Sequence, residues 1–388
     1  MIVGLFPELT APGGVQRAGR LTAAAIAALA ERCGESCAFL SLNDAPEASP
    51  LSVTSRQIPF SGFGHSKSRF LQAAWKIARQ RPNLIFALHP NLAPVLAAMK
   101  LAAPSARTAI FAHGIEVWAP LPWLRRKCLQ RADLVFAPST DTARQLAAQQ
   151  GVYSGKIQRL PWSLGPEFTG APDSSPLPDG FPSGRIILSV GRWDAREAYK
   201  GLDHLILALP RLLESVPDAH LVAIGSGTDL PRLKALATQS GVSQRVHFLS
   251  GLSNTQLAAA YSACDVFALP SRGEGFGLVF LEAMSHGKPV IGGAHGGTPD
   301  IIADGDSGFL VEYGDVDQLR NRLGLLLTDE TIRRRMGARA LERVGSDFTF
   351  DRFCQNLESS LSANFSLQLA SCGHKEPSLE GHAVPPRP

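Results

Sequence analysis

Charge of either sign is scarce in this chain: only 19% of its 388 residues are charged, and 38 Lys and Arg against 34 Asp and Glu leave a net charge of +4. So small and dispersed a surplus excludes the broad basic footprint of a nucleic-acid-binding protein, though it suits phosphate-bearing ligands or an anionic lipid surface. Cysteine is sparse too. Cys33, Cys37, Cys128, Cys264, Cys354 and Cys372 form no C-x-x-C pair and accompany no His-rich ligand spacing. Neither a zinc site nor a disulfide framework is therefore expected, and the thiols read as reduced and cytoplasmic. Long apolar runs are missing as well: Leu92 to Ala103 is broken by Pro94 and Lys100, and Leu21 to Ala30 stops at Glu31-Arg32 without a cleavage-site pattern. Nothing reaches the ~18–20 residues of a membrane span, so a soluble or peripheral protein is expected.

What is present is an ordinary globular composition, 45% hydrophobic, in a chain long enough for two domains at ~100–200 residues each. Short β-rich runs alternate with helical patterns: Ile2–Phe6, Cys37–Leu42, Leu84–Leu88, Thr108–Ala112, Leu134–Ala137 and Ile157–Leu160. That alternation predicts a parallel, doubly wound α/β sheet. Between Leu164 and Gly184 prolines stand at 166, 172, 176, 178 and 182, the composition of a linker. Alternation resumes with Ile186–Val190, Leu221–Ile224, Val246–Leu249, Val266–Leu269, Val290–Gly292 and Phe309–Val311. The expected plan is a Rossmann-like domain over 1–163, a linker over 164–184 and a second Rossmann-like domain over 185–346. A helix over 347–363 follows, free to pack back on the first domain, and then a disordered tail over 364–388. Ligands of such sheets bind beyond the carboxyl ends of the strands, so functional residues are expected in the loops there.

The run Gly273-Glu274-Gly275-Phe276-Gly277-Leu278-Val279-Phe280-Leu281-Glu282 follows the strand Val266–Leu269. Its alternating glycines allow close backbone approach, and a helix opening near Gly277 offers free N–H groups to a phosphate. Glu274 could accept hydrogen bonds from ligand hydroxyls, and Glu282, two helical turns on, could bind a ribose. A plain turn with a solvated Glu282 is the competing reading. Arg192 and Lys200, in Gly191-Arg192-Trp193-Asp194-Ala195-Arg196-Glu197-Ala198-Tyr199-Lys200-Gly201, could neutralise a leaving diphosphate. Arg196 could take the place of Lys200. Gly13-Gly14 follows the first strand and could meet a phosphate or sugar with backbone N–H groups. A dinucleotide loop with Asp44 on a ribose is its rival, but the full G-x-G-x-x-G fingerprint is missing. His113 and His89 both stand at predicted strand ends.

The Glu-x7-Glu spacing from Glu274 to Glu282, set in this E-G-F-G…E-A-M frame, resembles glycosyltransferase family 4. The resemblance covers nearly the whole chain to about Leu361 and implies the GT-B fold, two Rossmann-like domains facing across a cleft. It implies a retaining hexosyltransferase that needs no metal or other cofactor and uses a UDP- or GDP-sugar. The acceptor would be a saccharide or a lipid-linked molecule, in cell-surface polysaccharide or lipopolysaccharide assembly. It assigns Glu274 to the donor sugar, Glu282 to the ribose, and Arg192 and Lys200 to the diphosphate. His113 would position the donor sugar and Gly13-Gly14 would face it across the cleft. Donor contacts are further expected at Leu249 and Gly251, beside the base, and at Gly275, Phe276, Gly277, Leu278 and Val279.

Pro161-Trp162-Ser163 departs from the Pro-Asn-Gly of many members and leaves the hinge geometry open. Asp304-Gly305-Asp306 and Asp315-Val316-Asp317 read as a turn and a helix cap, not metal ligands, and Gly225-Ser226-Gly227 as a tight turn. Trp118 to Arg131 mixes aromatic and basic residues and could touch a membrane or simply form a surface helix. Rival activities are an NAD-linked oxidoreductase, a nucleotide-sugar epimerase of the same fold, and a noncatalytic saccharide-binding protein.

Overall fold

The computed structural model describes residues 1–53, 56–165 and 176–365. Part of the expected linker and nearly all of the expected tail lie outside the described residues.

The first sheet opens with β1 (Ile2–Phe6), and α1 (Gly14–Arg32) returns the chain to β2 (Cys37–Ser41). β3 (Leu51–Val53) pairs antiparallel with β4 (Arg56–Ile58), and β5 (Ser61–Gly62) adds a parallel edge to β2. These three strands were not expected, because runs of two or three residues are too short to show an alternating pattern. Then follow α2 (Lys67–Ala78), β6 (Leu84–Ala87), α3 (Ala93–Ala102), β7 (Arg107–Phe111), α4 (Trp123–Arg131), β8 (Leu134–Ala137), α5 (Thr140–Ala148) and β9 (Ile157–Arg159). The strands lie side by side as β5-β2-β1-β6-β7-β8-β9.

The second sheet runs through β10 (Arg185–Val190), α6 (Leu202–Ser215), β11 (Ala219–Ile224), α7 (Leu230–Gln239), β12 (Val246–Leu249), α8 (Asn254–Ala263) and β13 (Val266–Leu269). It continues with α9 (Leu278–Ser285), β14 (Val290–Gly293), α10 (Thr298–Ile301), β15 (Gly308–Val311), α11 (Val316–Thr328) and α12 (Glu330–Asp347). Its order is β12-β11-β10-β13-β14-β15, and every pairing is parallel. Helices cover both faces of each sheet, which is why strands such as Leu134–Ala137 and Val266–Leu269 are buried at every residue rather than alternately.

In each sheet the strand order reverses around one strand: β1 lies between β2 and β6, and β10 between β11 and β13. A crevice forms where successive crossovers go to opposite sides, at the carboxyl ends of those strands. Gly13 and His89 follow β1 and β6, and Arg192 and Gly273 follow β10 and β13, so both switch points open on one interdomain cleft.

The last helix, α13 (Phe350–Phe365), leaves the second sheet and packs on α1. Arg32 bonds Glu358 at 2.5 Å, the Phe353 ring lies 5.7 Å from Trp162, and the Leu164 amide donates to the Phe348 carbonyl at 3.1 Å. The chain thus crosses between the two sheets twice at one place. Among the described residues no helix is long and apolar enough to cross a membrane.

Both D-x-D patterns are structural. The Asp315 side chain accepts the Gln318 amide at the start of α11, and Asp304 accepts the Leu310 amide at 2.9 Å across the turn at Gly305. The Gly225-Ser226-Gly227 turn braces the Arg192 loop: the Trp193 amide donates to the Ser226 carbonyl at 2.9 Å, and a β-carbon on Gly227 would lie 2.1 Å from the Trp193 backbone.

Candidate active site

The Gly273–Gly277 loop leaves β13 and runs directly against the first domain. A β-carbon on Gly275 would lie 2.0 Å from the His113 carbonyl oxygen, and one on Gly114 would lie 2.1 Å from the Gly275 Cα. Only a residue without a side chain lets these two backbones touch. The contact is fastened by the Ser139 hydroxyl, which donates to the Gly275 carbonyl at 2.8 Å, and by Asp300, which accepts the Thr140 hydroxyl at 2.9 Å. The loop closes on its own domain at Gly296, whose β-carbon would lie 2.6 Å from the Glu274 amide nitrogen.

Glu274 is buried, with 8% of its surface exposed, and Lys200 reaches its Oε1 at 3.3 Å. Lys200 also lies 3.7 Å from Glu197, which bonds Arg192 on its other side. The 3-10 turn Ala195–Lys200 makes this possible by bringing Lys200 back toward β13, and it ends at Gly201 in left-handed geometry. Lys200, not the exposed Arg196, therefore stands beside Glu274. Arg192 is largely exposed at 67% of its side chain. Glu197, which joins both cations, drew no attention in the sequence because a lone loop glutamate carries no pattern.

Glu282 is no solvated helix residue. It is 4% exposed on α9, accepts the Tyr261 hydroxyl at 2.7 Å, and pairs across the cleft with Arg17 of α1. Neither partner is marked by any pattern in the sequence; Arg17 lies 265 residues away along the chain. The Gly277 cap starts α9, whose first N–H groups, at Leu278 and Val279, have no intrahelical acceptor. Gly14 faces this helix start from the first domain, its β-carbon position 3.9 Å from Leu278. Phe276 is buried, its ring 6.0 Å from Phe348. The amino-terminal end of α9, with its free N–H groups, and the Gly13-Gly14 turn thus oppose one another. Leu249 and Gly251 lie farther out, at and beyond the end of edge strand β12, with the Leu249 carbonyl accepting the Gly225 amide at 2.8 Å.

His113 ends β7. Its Nε2–H donates to the Leu88 carbonyl at 2.6 Å, and its ring stacks on Trp162 at 5.2 Å and on His89 at 5.8 Å. Trp162, which stood out in the sequence only as an unusual hinge residue, is a buried pillar between His113 and Phe353. Burial holds the His113 imidazole neutral, lowering its pKa to about 4, and does the same for His89. With Nε2 protonated, Nδ1 of His113 is left as an acceptor.

The sign of the pH dependence follows. Between the ordinary value of 6.5 and about 4 the unfolded chain binds protons that the folded chain refuses. Folding stability therefore falls as pH drops through this window, by up to ~1.4 kcal/mol per pH unit for each histidine. His220 and His247, 2.9 Å apart, are lowered in the same direction by burial. Urea unfolding from pH 7 to pH 5 should show this fall, and His113→Asn should flatten it; equal slopes in both proteins would contradict the assignment.

Asp44 has another task than the one a dinucleotide loop would require. It is 3% exposed, accepts the Leu9 amide at 2.7 Å, the Thr10 amide at 3.1 Å and the Ser41 hydroxyl at 2.5 Å, and so ties down the loop after β1. A carboxylate with its acceptor sites so filled is not offered to a ribose, and the oxidoreductase reading loses its second support. Trp118 also lies elsewhere than its neighbours. It turns into the cleft, its ring 6.0 Å from Tyr199, and lines an interdomain cavity of about 530 Å³ with Tyr199, Arg144, Arg272, His295 and Asp300.

Residues 180–343 match the family described as Glycosyl transferases group 1, and residues 18–162 match Glycosyltransferase Family 4. A GDP-mannose-dependent alpha-(1-6)-phosphatidylinositol monomannoside mannosyltransferase of Mycolicibacterium smegmatis is 35% identical over 56% of this chain and 60% of its own length. The Mycobacterium tuberculosis protein of that name is 32% identical over 68% of this chain and 73% of its own. Among solved structures, Anabaena HepE in complex with UDP superposes with a TM-score of 0.71 at 20% identity, covering 93% of this chain and 99% of that one. Sucrose-phosphate synthase from Thermosynechococcus elongatus superposes with a TM-score of 0.72, also at 20% identity, covering 94% and 99%. These two likenesses establish the two-domain GT-B fold.

Proposed function

Because this chain belongs to glycosyltransferase family 4, we propose that it transfers a mannosyl group from GDP-mannose to an inositol-lipid or saccharide acceptor, retaining the anomeric configuration without a metal. The observation that carries the reading is the paired assembly of Glu274 with Lys200 opposite a helix start that faces Gly13-Gly14. A GDP donor is supported by the relatives named for GDP-mannose, and UDP-sugars are the alternative.

In this reading residues 185–346 hold the donor and residues 1–163 present the acceptor. The diphosphate lies between Gly13-Gly14 and the Leu278 and Val279 amides, with Arg192 and Lys200 beside it. Glu282 takes the ribose, Glu274 and the His113 Nδ1 take hydroxyls of the hexose, and backbone at Leu249 to Gly251 flanks the base. The bond from the anomeric carbon to the phosphate oxygen breaks, and the acceptor hydroxyl oxygen bonds the same carbon from the same face. Its proton passes to the departing diphosphate. The chain's contribution is to stabilise the charge that develops there, chiefly through Lys200, and to hold the sugar while it reacts. The enzyme would work at the cytoplasmic side of a membrane, in building cell-surface glycans.

Thermal unfolding with GDP, UDP, ADP and NAD tests the donor. A ligand at ~100 times its Kd stabilises the fold by ~2.7 kcal/mol, so GDP alone should raise the midpoint clearly. A shift with UDP alone would replace GDP-mannose by a UDP-sugar, and a shift with NAD alone would overturn the transferase reading.

A further inference from the structure

An ion pair joins the two domains inside the site rather than at its rim. Arg17 reaches from the first turn of α1 to one carboxylate oxygen of Glu282 on α9, and the two side chains are only 19% and 5% exposed. Arg159 and Asp300, which also meet across the cleft, stand 3.9 Å apart with 58% and 24% of their side chains exposed. Solvent screens an exposed pair of that kind, so it holds little. A buried pair is different, because withdrawal of either member leaves a desolvated charge without its partner.

Local geometry aims Arg17 at this place. Its amide donates to the Gly13 carbonyl at 2.9 Å, which fixes it in the opening turn of α1. Gly14 and Arg17 are three residues apart on α1, and Leu278 and Glu282 four apart on α9, so each couple shares one helix face. Gly14 lies against Leu278 and Arg17 against Glu282, two successive rungs between the starts of the two helices. From the second domain, Tyr261 of α8 donates to the other oxygen of Glu282 at 2.7 Å. Burial, and then the carboxylate beside it, raise the Tyr261 pKa well above its ordinary value, so the phenol stays a donor. Each domain thus grips one oxygen of the same carboxylate.

We infer that Arg17 is a positioning residue that sets Glu282 for the ribose of the nucleotide, so that the ribose hydroxyls are read only when the first domain has closed on the second. The inference rests on the transferase reading, in which Glu282 takes the ribose. A carboxylate offers about four acceptor positions, so one grip on each oxygen leaves a position on each for two adjacent hydroxyls. The guanidinium on one oxygen and the buried phenol on the other stop the carboxylate from turning. With Arg17 withdrawn, the group is free to rotate about the single bond to Tyr261, and without its cation it turns toward water or takes up a proton. Either change spoils it as a double acceptor. The second domain alone would then still hold the diphosphate and the base, but it would scarcely distinguish a nucleotide with ribose hydroxyls from one without.

The test is calorimetric titration of the full chain and of its Arg17→Ala and Arg17→Lys variants with GDP and with 2′,3′-dideoxy-GDP, or with the corresponding UDP pair if UDP is the diphosphate that the parent binds. The parent should prefer the nucleotide with both hydroxyls by about ten- to a hundred-fold, the usual worth of hydrogen bonds to a charged acceptor. In Arg17→Ala that preference should shrink to about three-fold or less, because the ribose nucleotide weakens while the dideoxy form binds as before. Arg17→Lys keeps a cation without the planar fork and should recover part of the preference. In Arg17→Ala the KM for the nucleotide sugar should rise, with kcat lowered less, since the ribose is held alike before and during reaction. A role confined to stability would weaken both nucleotides equally, and that result overturns the inference. So would a parent indifferent to the hydroxyls, or tighter binding of the ribose nucleotide in Arg17→Ala, which would make Arg17 a competitor of the ribose. An Arg17→Ala variant that keeps the parent's preference overturns the inference and leaves the transferase reading standing, whereas a parent that binds no nucleoside diphosphate removes both.

Discussion

Lys200→Ala is expected to lower kcat by ~10²–10³-fold, the usual cost of removing a preorganised group that stabilises charge formed only in the transition state. Lys200 is mostly buried, with 13% of its side chain exposed, and it stands between Glu274 and Glu197. A fixed ammonium in such a place is worth far more than one in bulk water. Its loss also leaves the Glu274 carboxylate buried without its cation, so some stability should go as well. Steady-state kinetics with the nucleotide sugar, run beside thermal unfolding, separates the two effects. Glu274→Ala should be similarly severe, by removing a partner of the donor hexose, and Arg192→Ala should follow in the same direction. Near-normal turnover in all three would remove the site assignment.

Gly275→Ala is expected to lower turnover by about a hundred-fold through closure of the cleft rather than through any lost functional group. The added methyl would meet the His113 carbonyl at 2.0 Å, a contact that neither backbone can accept. The loop would have to withdraw, breaking the Ser139 bond to the Gly275 carbonyl and shifting Glu274 relative to the first domain. Displacements of ~1 Å in a reacting pair cost on this order. Since the clash can be relieved by opening the cleft, the fold should survive, and nucleoside-diphosphate binding to the second domain should remain. The diagnostic result is a retained thermal shift with lost turnover. Wild-type kcat in Gly275→Ala would show that the glycine-to-glycine contact is not needed for reaction.

Much of this molecule is legible along the chain because its signals are local. Buried parallel strands announce themselves as short runs of Val, Ile, Leu and Phe, and twelve of the fifteen strands among the described residues read that way; β3, β4 and β5 escape because they are too short to carry a pattern. Gly273 to Glu282 and Arg192 to Lys200 were visible because glycines and charges at fixed spacing after a strand are chemically specific. Charge density was legible too, yet the Trp118–Arg131 segment hid a division: Trp118 belongs to the cleft and Trp123 to the outer face.

By itself the sequence determined the two α/β sheets and the residue types that the loops proposed to carry the chemistry present, since each depends on neighbours within about one turn or strand. Only the tertiary structure decided what those residues touch. Arg17 on Glu282, Ser139 on Gly275, Trp162 beneath His113 and Asp44 closed on its own loop are contacts set by how two sheets meet. Such pairings join positions as far as 265 residues apart, where local periodicity holds no information and burial alone selects the partner.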